Sequence, residues 1–564
     1  MAKRDWIVGL GLATGAVLGA AAAVAVSQRR TERASGSAAQ SAAAVDDFLP
    51  AWPLEGWIGR VQWPETEARL TVRRPHDLSV LGETPVYSRA QVAAVAARAR
   101  AAQPAWAALS VKERLKPFWK LHDLLIENYH TVADLLQAEG GKTRRDAVAE
   151  VIDVVNVIRY YGTKAESWLR GQWRRPGLPG SSLARVIYKP YGVVGSITPW
   201  NFPLVLAVSD VVAPLLAGNT VIVKTAEQTP YTALWAAEQL KLLGLPDGVL
   251  QVITGDGRET GDALIDYVDF IMFTGSNPVG QYISKRAGER MIPATLELGG
   301  KNPAIVLPDA DLDLATDRLL EASFGFNGQL CISIERAYVP EPMLPAFSAL
   351  LKYKVAQLKL GVDADYGTQI GPLMMQPQVD KFVAHIEDAV AKGATVLTGG
   401  KTRPDVGPNY VEPTVLMNVP SSATLFREET FGPVLALYPY RTVDEAIALA
   451  NDTVYGLNGL VLSGNPAGAL AQYVAERLDC GTVGVNDMLQ SWQSYAMPMG
   501  GLKRSGLGRR HGPEGLLKYV QPQGIGTLLW PNLQHFAPPL GLGGRLMDAM
   551  FVLLRVWRWI PLVR

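Results

Sequence analysis

The chain has 564 residues, 48% of them hydrophobic and 19% charged, with a formal net charge of +1. That length implies more than one domain and ample core, and the near-neutral balance lacks the basic surplus of a nucleic-acid binder. Two cysteines, Cys331 and Cys480, are too few for a disulfide framework, which points to a reducing compartment. The six histidines are scattered without ligand spacing, so no metal site is expected.

Trp6 to Ser27 carries no charge, is rich in Ala, Val, Leu and Gly, and is flanked by Lys3, Arg4, Arg29, Arg30 and Arg33. As a helix it would span a bilayer core of roughly 30 Å. The heavier basic flank on its C-terminal side predicts a membrane-anchored protein whose body faces the cytoplasm. A cleaved leader ending near Ala25-Val26-Ser27 is the alternative. An Ala/Ser-rich linker follows to about residue 50.

Apolar positions three and four apart predict helices over Arg89–Ala108, Lys112–Leu136 and Asp146–Leu169. Leu183–Tyr188 reads as a strand. Short apolar runs then alternate with helical stretches: Val193–Ile197, Thr220–Val223, Val249–Ile253 and Phe270–Phe273. This is the pattern of βαβ units around a parallel sheet. A second alternating stretch runs from Ala304 to about Val483, with strands at Ala394–Leu397 and Val434–Leu437, and Leu516–Leu529 again looks strand-like. The last segment, 541–564, predicts a basic, Trp-bearing amphipathic helix suited to a membrane interface.

The residues with chemical promise sit at the ends of these runs. Cys331 follows the small polar turn Asn327-Gly328-Gln329 and precedes a strand, which presents a thiol at the floor of a cleft. Phe273-Thr274-Gly275-Ser276 ends a strand and opens a helix whose free N–H groups suit a pyrophosphate. Gly255-Asp-Gly257-Arg-Glu-Thr-Gly261 nearly matches a dinucleotide fingerprint, its last spacing one residue too long, and Gly255 is kept as a candidate cofactor contact. Lys224 and Glu227 close another strand, where ribose recognition belongs. A carboxylate at Glu227 would repel a 2′-phosphate, so NAD is expected over NADP. Thr198-Pro-Trp200-Asn201 offers an amide N–H₂ for an oxyanion. Glu297 stands among apolar and glycine neighbours, where burial would raise it towards a working base. Glu429 and Phe431 form a further loop pair.

In this order, these segments resemble the aldehyde dehydrogenase superfamily over roughly residues 50 to 530. The resemblance implies an α/β fold of two doubly wound parallel-sheet domains with a small β oligomerisation arm. The NAD-binding domain would comprise 51–170 and 190–299, the arm 171–189 and 516–530, and the catalytic domain 300–515. It implies that Cys331 attacks the aldehyde, Asn201 holds the oxyanion and Glu297 activates the deacylating water. Lys224 and Glu227 would hold the adenosine ribose, Ser276 the pyrophosphate, and Glu429 with Phe431 the nicotinamide ribose and ring. Thr198, Trp200, Gly255, Thr274 and Gly275 complete the expected cofactor set. Dimers or tetramers are implied. Thr225 departs from the family, which often has proline there.

Ala496 to Gly515 looks most like bacterial succinate-semialdehyde dehydrogenases of one branch. A carboxylate-bearing substrate wants a bidentate arginine, yet the residues just before Cys331 and those after Asn201 offer none, leaving Arg504 and Arg509. The apolar approach and the expected membrane contacts favour fatty or aromatic aldehydes. A catalytically silent membrane scaffold is the reading from another class.

Overall fold

The computed structural model describes residues 54–529, except 60, 62, 67 and 177–181, and a few helical residues between 548 and 556. The 1–27 anchor and the 28–50 linker lie outside the described residues, as does most of the 541–564 helix. The expectation of a membrane-anchored, cytoplasm-facing protein is corrected here. Among the described residues no helix is long and apolar enough to cross a membrane, and the run on which that expectation rested is not among them.

An N-terminal hairpin, β1 (Arg69–Arg73) and β2 (Val80–Pro85), leads into four helices: Arg89–Ala108, Val111–Glu127, Tyr129–Gly140 and Arg144–Leu169. Ser88 with Gln91 and Ser110 with Glu113 form reciprocal capping boxes that fix where the first two begin. The single helix expected over Lys112–Leu136 is two. Asn128 leaves helical geometry at φ −123°, and its side-chain amide donates to the Leu124 carbonyl at 3.0 Å. Apolar periodicity runs straight across this break, so the sequence pattern hides it.

Strands β3 (Gln172–Arg174) and β4 (Ser182–Pro190) stand apart and pair later with the C-terminal β18 (Val520–Leu528) as a three-stranded antiparallel sheet. β18 begins later than the expected Leu516 because Gly512–Leu517 forms a helical turn.

The first large sheet contains β5 (Val193–Ile197), β6 (Thr220–Lys224), β7 (Leu250–Ile253), β8 (Phe270–Thr274) and β9 (Ala294–Glu297). Their order is β9-β8-β5-β6-β7, all parallel. Alternate residues feed two cores. Val193, Ile222 and Ile271 join helix Arg89–Ala108, whereas Val194, Val221 and Phe270 join the helices on the other face. Burial on both faces explains why these strands read as continuous apolar runs. The chain reverses its direction of travel between β5 and β8, and a crevice opens beyond the carboxyl ends of strands at such a point.

The second sheet comprises β10 (Asn302–Val306), β11 (Ile334–Pro340), β12 (Thr395–Thr398), β13 (Thr414–Met417), β14 (Val434–Tyr440), β15 (Asn458–Leu462) and β16 (Thr482–Val485). Its order is β12-β13-β14-β11-β10-β15-β16, parallel except for β12. A two-residue strand, β17 (Gly506–Leu507), returns to pair antiparallel with β9 of the first sheet. Residues just before β11 and β14 of the second sheet, including Cys331 and Phe431, line one cavity with residues just after β5 and β8 of the first. The amino ends of one sheet thus meet the carboxyl ends of the other.

Candidate active site

That cavity has a volume of about 550 Å³, and Cys331, Asn201, Glu297, Trp200, Thr274, Gly275, Ser276, Glu429 and Phe431 all line it. Thr198, Lys224, Glu227 and Gly255 do not. They sit at the ends of β5, β6 and β7, with the Thr198 N–H donating to the Lys224 carbonyl at 3.0 Å. Cys480 lies elsewhere, its thiol donating to the Asn458 carbonyl at 3.2 Å.

The turn before Cys331 is left-handed over three residues: Phe326 at φ 55°, Asn327 at 60° and Gly328 at 66°. At Gly328 a Cβ would fall 2.2 Å from the Gly432 carbonyl oxygen, so glycine lets this turn press against the Glu429–Pro433 loop. Asn327 steadies it by donating to the Pro372 carbonyl at 3.1 Å and accepting from the Gly371 N–H. Phe326 stacks on Phe202 with ring centres 4.7 Å apart, and the Lys142 ammonium lies over both rings. Beyond the turn, the Asn302 amide donates to the Cys331 and Ser333 carbonyls, each at 2.8 Å. The thiol is thereby held between two anchored backbones.

The Asn201 side-chain nitrogen donates to the Gln329 carbonyl at 2.9 Å, which leaves its second N–H uncommitted beside the thiol's loop. Both Glu297 oxygens are buried without a hydrogen-bond partner among the described residues. Burial pushes Glu297 up to about 7, opposed by Arg510, Lys518 and Arg509 and reinforced by Asp210. Burial also pushes the Cys331 thiol up to about 12, with Arg510 pulling it down and Glu429 and Glu297 adding to the rise. Glu429 is raised to about 7 by burial and by Glu335, although the Gly300 N–H donates to it at 2.9 Å.

The same residues suit a dinucleotide. Helix Asn277–Glu289 opens on Ser276, whose hydroxyl makes no capping bond, so hydroxyl and first-turn N–H groups are uncommitted at the cavity wall. Gly255 has φ 139°, and a Cβ there would lie 2.0 Å from the Thr260 hydroxyl, so the backbone stays bare at the end of β7. Lys224 is buried and its ammonium is drawn down to about 8 by desolvation, against the pull of Glu227 and Asp256.

Several contributors were not legible in advance. Arg510, not Arg504 or Arg509, is the arginine of its loop that reaches the cavity. Arg504 is exposed, and Arg509 spends one guanidinium nitrogen on the Gly501 and Gly508 carbonyls. The Met499–Arg510 bridge sets this: adjacent side chains on extended backbone point opposite ways. Arg510 is buried, pairs with Asp210 at 2.8 Å and contacts the Thr274 hydroxyl. On the far wall, the Asp153 carboxylate accepts from Trp492 Nε1 at 2.6 Å, the Tyr495 hydroxyl at 2.9 Å and the Ser209 hydroxyl at 3.0 Å. Glu335, beneath the cavity, pairs with the buried Lys301 and accepts from the Thr430 and Phe431 N–H groups. Arg159 lines the cavity from an exposed position on helix Arg144–Leu169, and its guanidinium has no hydrogen bond or ion pair among the described residues.

A thiol, a buried carboxylate and an amide donor on one cavity, beside a strand crevice of nucleotide-binding type, suit an oxidoreductase that works through a covalent cysteine. Residues 63–525 match the model of the aldehyde dehydrogenase family, and the chain belongs to that family. It is an oxidoreductase that acts on aldehydes with NAD(P).

Among similar proteins is a putative NADP(+) succinate-semialdehyde dehydrogenase 2 of Mycobacterium tuberculosis, 45% identical over 459 residues, 81% of this chain and 88% of that protein. A glutarate-semialdehyde dehydrogenase of Pseudomonas putida is 36% identical over 464 residues, covering 82% of this chain and 95% of that protein. Of solved structures, an NAD+ complex of aldehyde dehydrogenase from Bacillus cereus superposes with a TM-score of 0.77 at 33% identity, over 82% of this chain and 94% of the other.

Proposed function

We propose that the chain oxidises a short aldehyde bearing a distal carboxylate, of the succinic semialdehyde type, to the dicarboxylic acid. The observation that carries the chemistry is the convergence of Cys331, Asn201 and Glu297 on one cavity. The Cys331 thiolate adds to the aldehyde carbon, and the oxyanion so formed accepts from the free Asn201 N–H and the Cys331 backbone N–H. Bound NAD(P) supplies the hydride acceptor. The thioester left on Cys331 is cleaved by water, whose proton passes to Glu297, releasing acid and thiolate.

On this reading Ser276 and the first turn of its helix hold the pyrophosphate, and Lys224 with Glu227 the adenosine ribose. Glu429 and Phe431 face the nicotinamide end, with Phe431 edge-on to Trp200 at 5.5 Å. Thr198, Gly255, Thr274 and Gly275 shape the crevice. The Glu227 carboxylate supports NAD, whereas the mycobacterial relative's name supports NADP. Separate kcat/KM values with the two cofactors answer this.

For the substrate, two relatives named for semialdehydes support a carboxylate, and Arg159, unpaired among the described residues, is a cation at the cavity wall able to receive one. The apolar lining from Phe202, Phe326, Leu330 and Trp492 supports the second reading, an apolar aldehyde. The test offers succinic semialdehyde, butanal and decanal to the purified chain and to Arg159→Gln. Succinic semialdehyde should exceed butanal in kcat/KM, and Arg159→Gln should lower it about ten- to a hundredfold while sparing butanal. Preference for decanal would overturn the carboxylate reading.

We also assign the β18-β4-β3 sheet to self-association. Trp173, Leu183 and Leu528 are exposed on its strands, and β18 offers an open edge. Light scattering should give a dimer or tetramer.

A further inference from the structure

Arg510 is a buried arginine that lines the cavity with Cys331 and Glu297, and its Nε–H is buried with no hydrogen-bond partner among the described residues. One terminal nitrogen is fixed by Asp210 Oδ2 at 2.8 Å and by the Thr274 hydroxyl. Asp210, its side chain about 10% exposed, is the first residue of helix Asp210–Leu216. The guanidinium is therefore immobilised at one nitrogen and keeps an unspent donor at another. A buried donor left unpaired is costly, and an anion formed in the chamber during the working cycle would satisfy it. Two candidate anions share the chamber: the thiolate and the Glu297 carboxylate.

We infer that Arg510, positioned by Asp210, is the fixed cation of the reaction chamber, stabilising the Cys331 thiolate before attack and the Glu297 carboxylate during deacylation. The surrounding charges agree. Arg510 is the largest charge pulling Cys331 toward ionisation, while Glu429 and Glu297 oppose it. Those acting on Glu297 are Arg510, Lys518, Asp210 and Arg509, with Arg510 the largest charge among them. Arg510 in turn feels Asp210, Glu297, Cys331 and Tyr519. One immobile charge thus serves two steps that each need a buried anion. A cation that swung away would leave a chamber in which burial opposes both ionisations.

The inference rests on Cys331 and Glu297 acting as nucleophile and base, and its test is separable from theirs. Alkylation of Cys331 by iodoacetamide is followed by peptide mass spectrometry in the full chain without aldehyde, in a Cys480→Ala background. The comparison is among Arg510→Gln, Arg510→Lys and the uncharged pair Arg510→Gln/Asp210→Asn, which strands no buried charge. At pH 8 the rate constant should fall about tenfold or more in both uncharged variants, the effect of losing a neighbouring opposite charge. Arg510→Lys should recover most of it. In single-turnover experiments the pH inflection for deacylation should move upward from about 7, the value set for Glu297.

Unchanged alkylation and an unmoved inflection, in variants whose circular dichroism and Tm match the parent, would overturn the inference. Should Arg510→Gln not fold, the uncharged pair and Arg510→Lys decide the same question. Turnover surviving Cys331→Ser would instead defeat the proposed mechanism, whatever Arg510 does.

Discussion

Two buried ion pairs lie near the cavity, and they are completed to different degrees. Lys301 and Glu335 form a closed pair: the Glu335 oxygens also accept from Thr430 and Phe431, and the Lys301 carbonyl receives two bonds from Arg336. Its charges are spent on holding the Glu429–Phe431 loop in place. Arg510 and Asp210 form an open pair, with the guanidinium Nε–H left without a hydrogen-bond partner among the described residues. Desolvation makes any buried pair a poor source of stability for its own sake. What such a pair does therefore depends on the bonds around it. Full satisfaction makes it scaffold, and a missing partner turns its field outward.

The sharpest break is at the acceptor of that field. Glu297→Gln should still release one equivalent of reduced cofactor per site and then stall, with steady-state turnover down about a hundred- to ten-thousandfold. In the parent, deacylation should rise with pH through about 7 and level off above it, because only the ionised carboxylate can accept the water's proton. A stopped-flow burst followed by quench measurements of the thioester checks both.

Next comes the closed pair. Lys301→Ala strands Glu335 in the interior and should cost about 3–5 kcal/mol in guanidinium denaturation. The uncharged double Lys301→Met/Glu335→Gln should recover much of that, leave thiol alkylation unchanged and raise the KM for the cofactor through the loosened loop. An altered alkylation rate in this double variant would erase the distinction between the two pairs. The smallest effect belongs to Thr274→Val, which removes one acceptor of the Arg510 guanidinium. About 1 kcal/mol or less of stability should be lost, with a slight slowing of alkylation.

Much of this architecture was legible because its signals are local. The strands of the first sheet announce themselves as apolar runs, since Val193 and Val194 enter different cores and neither faces water. Cys331, Asn201 and Glu297 each stand in short segments of unusual chemistry. The open pair was not legible. Arg504, Arg509 and Arg510 share one glycine-rich loop and look alike in sequence, and only the bridge from Met499 to Arg510 turns one of them inward. Arg159 reads as the solvent side of an amphipathic helix, and nothing in the helical pattern tells which exposed position borders a cavity. Asn128 breaks a helix through its own side-chain bond while the apolar spacing continues past it. The N-terminal apolar run was the loudest signal of all, and it speaks of hydropathy alone.

The Asp153 carboxylate has a consequence for how this enzyme could diverge. Trp492 and Tyr495 form much of the far wall, and both are tied to a single oxygen of one side chain on a rigid helix. None of the candidate reacting groups shares that tie. Residues 489–495 can therefore be recast for another aldehyde provided two donors still reach Asp153 and an aromatic ring stays beneath the Arg510 guanidinium. Selection could thus retune substrate choice in one loop while the oxidation chemistry is inherited intact.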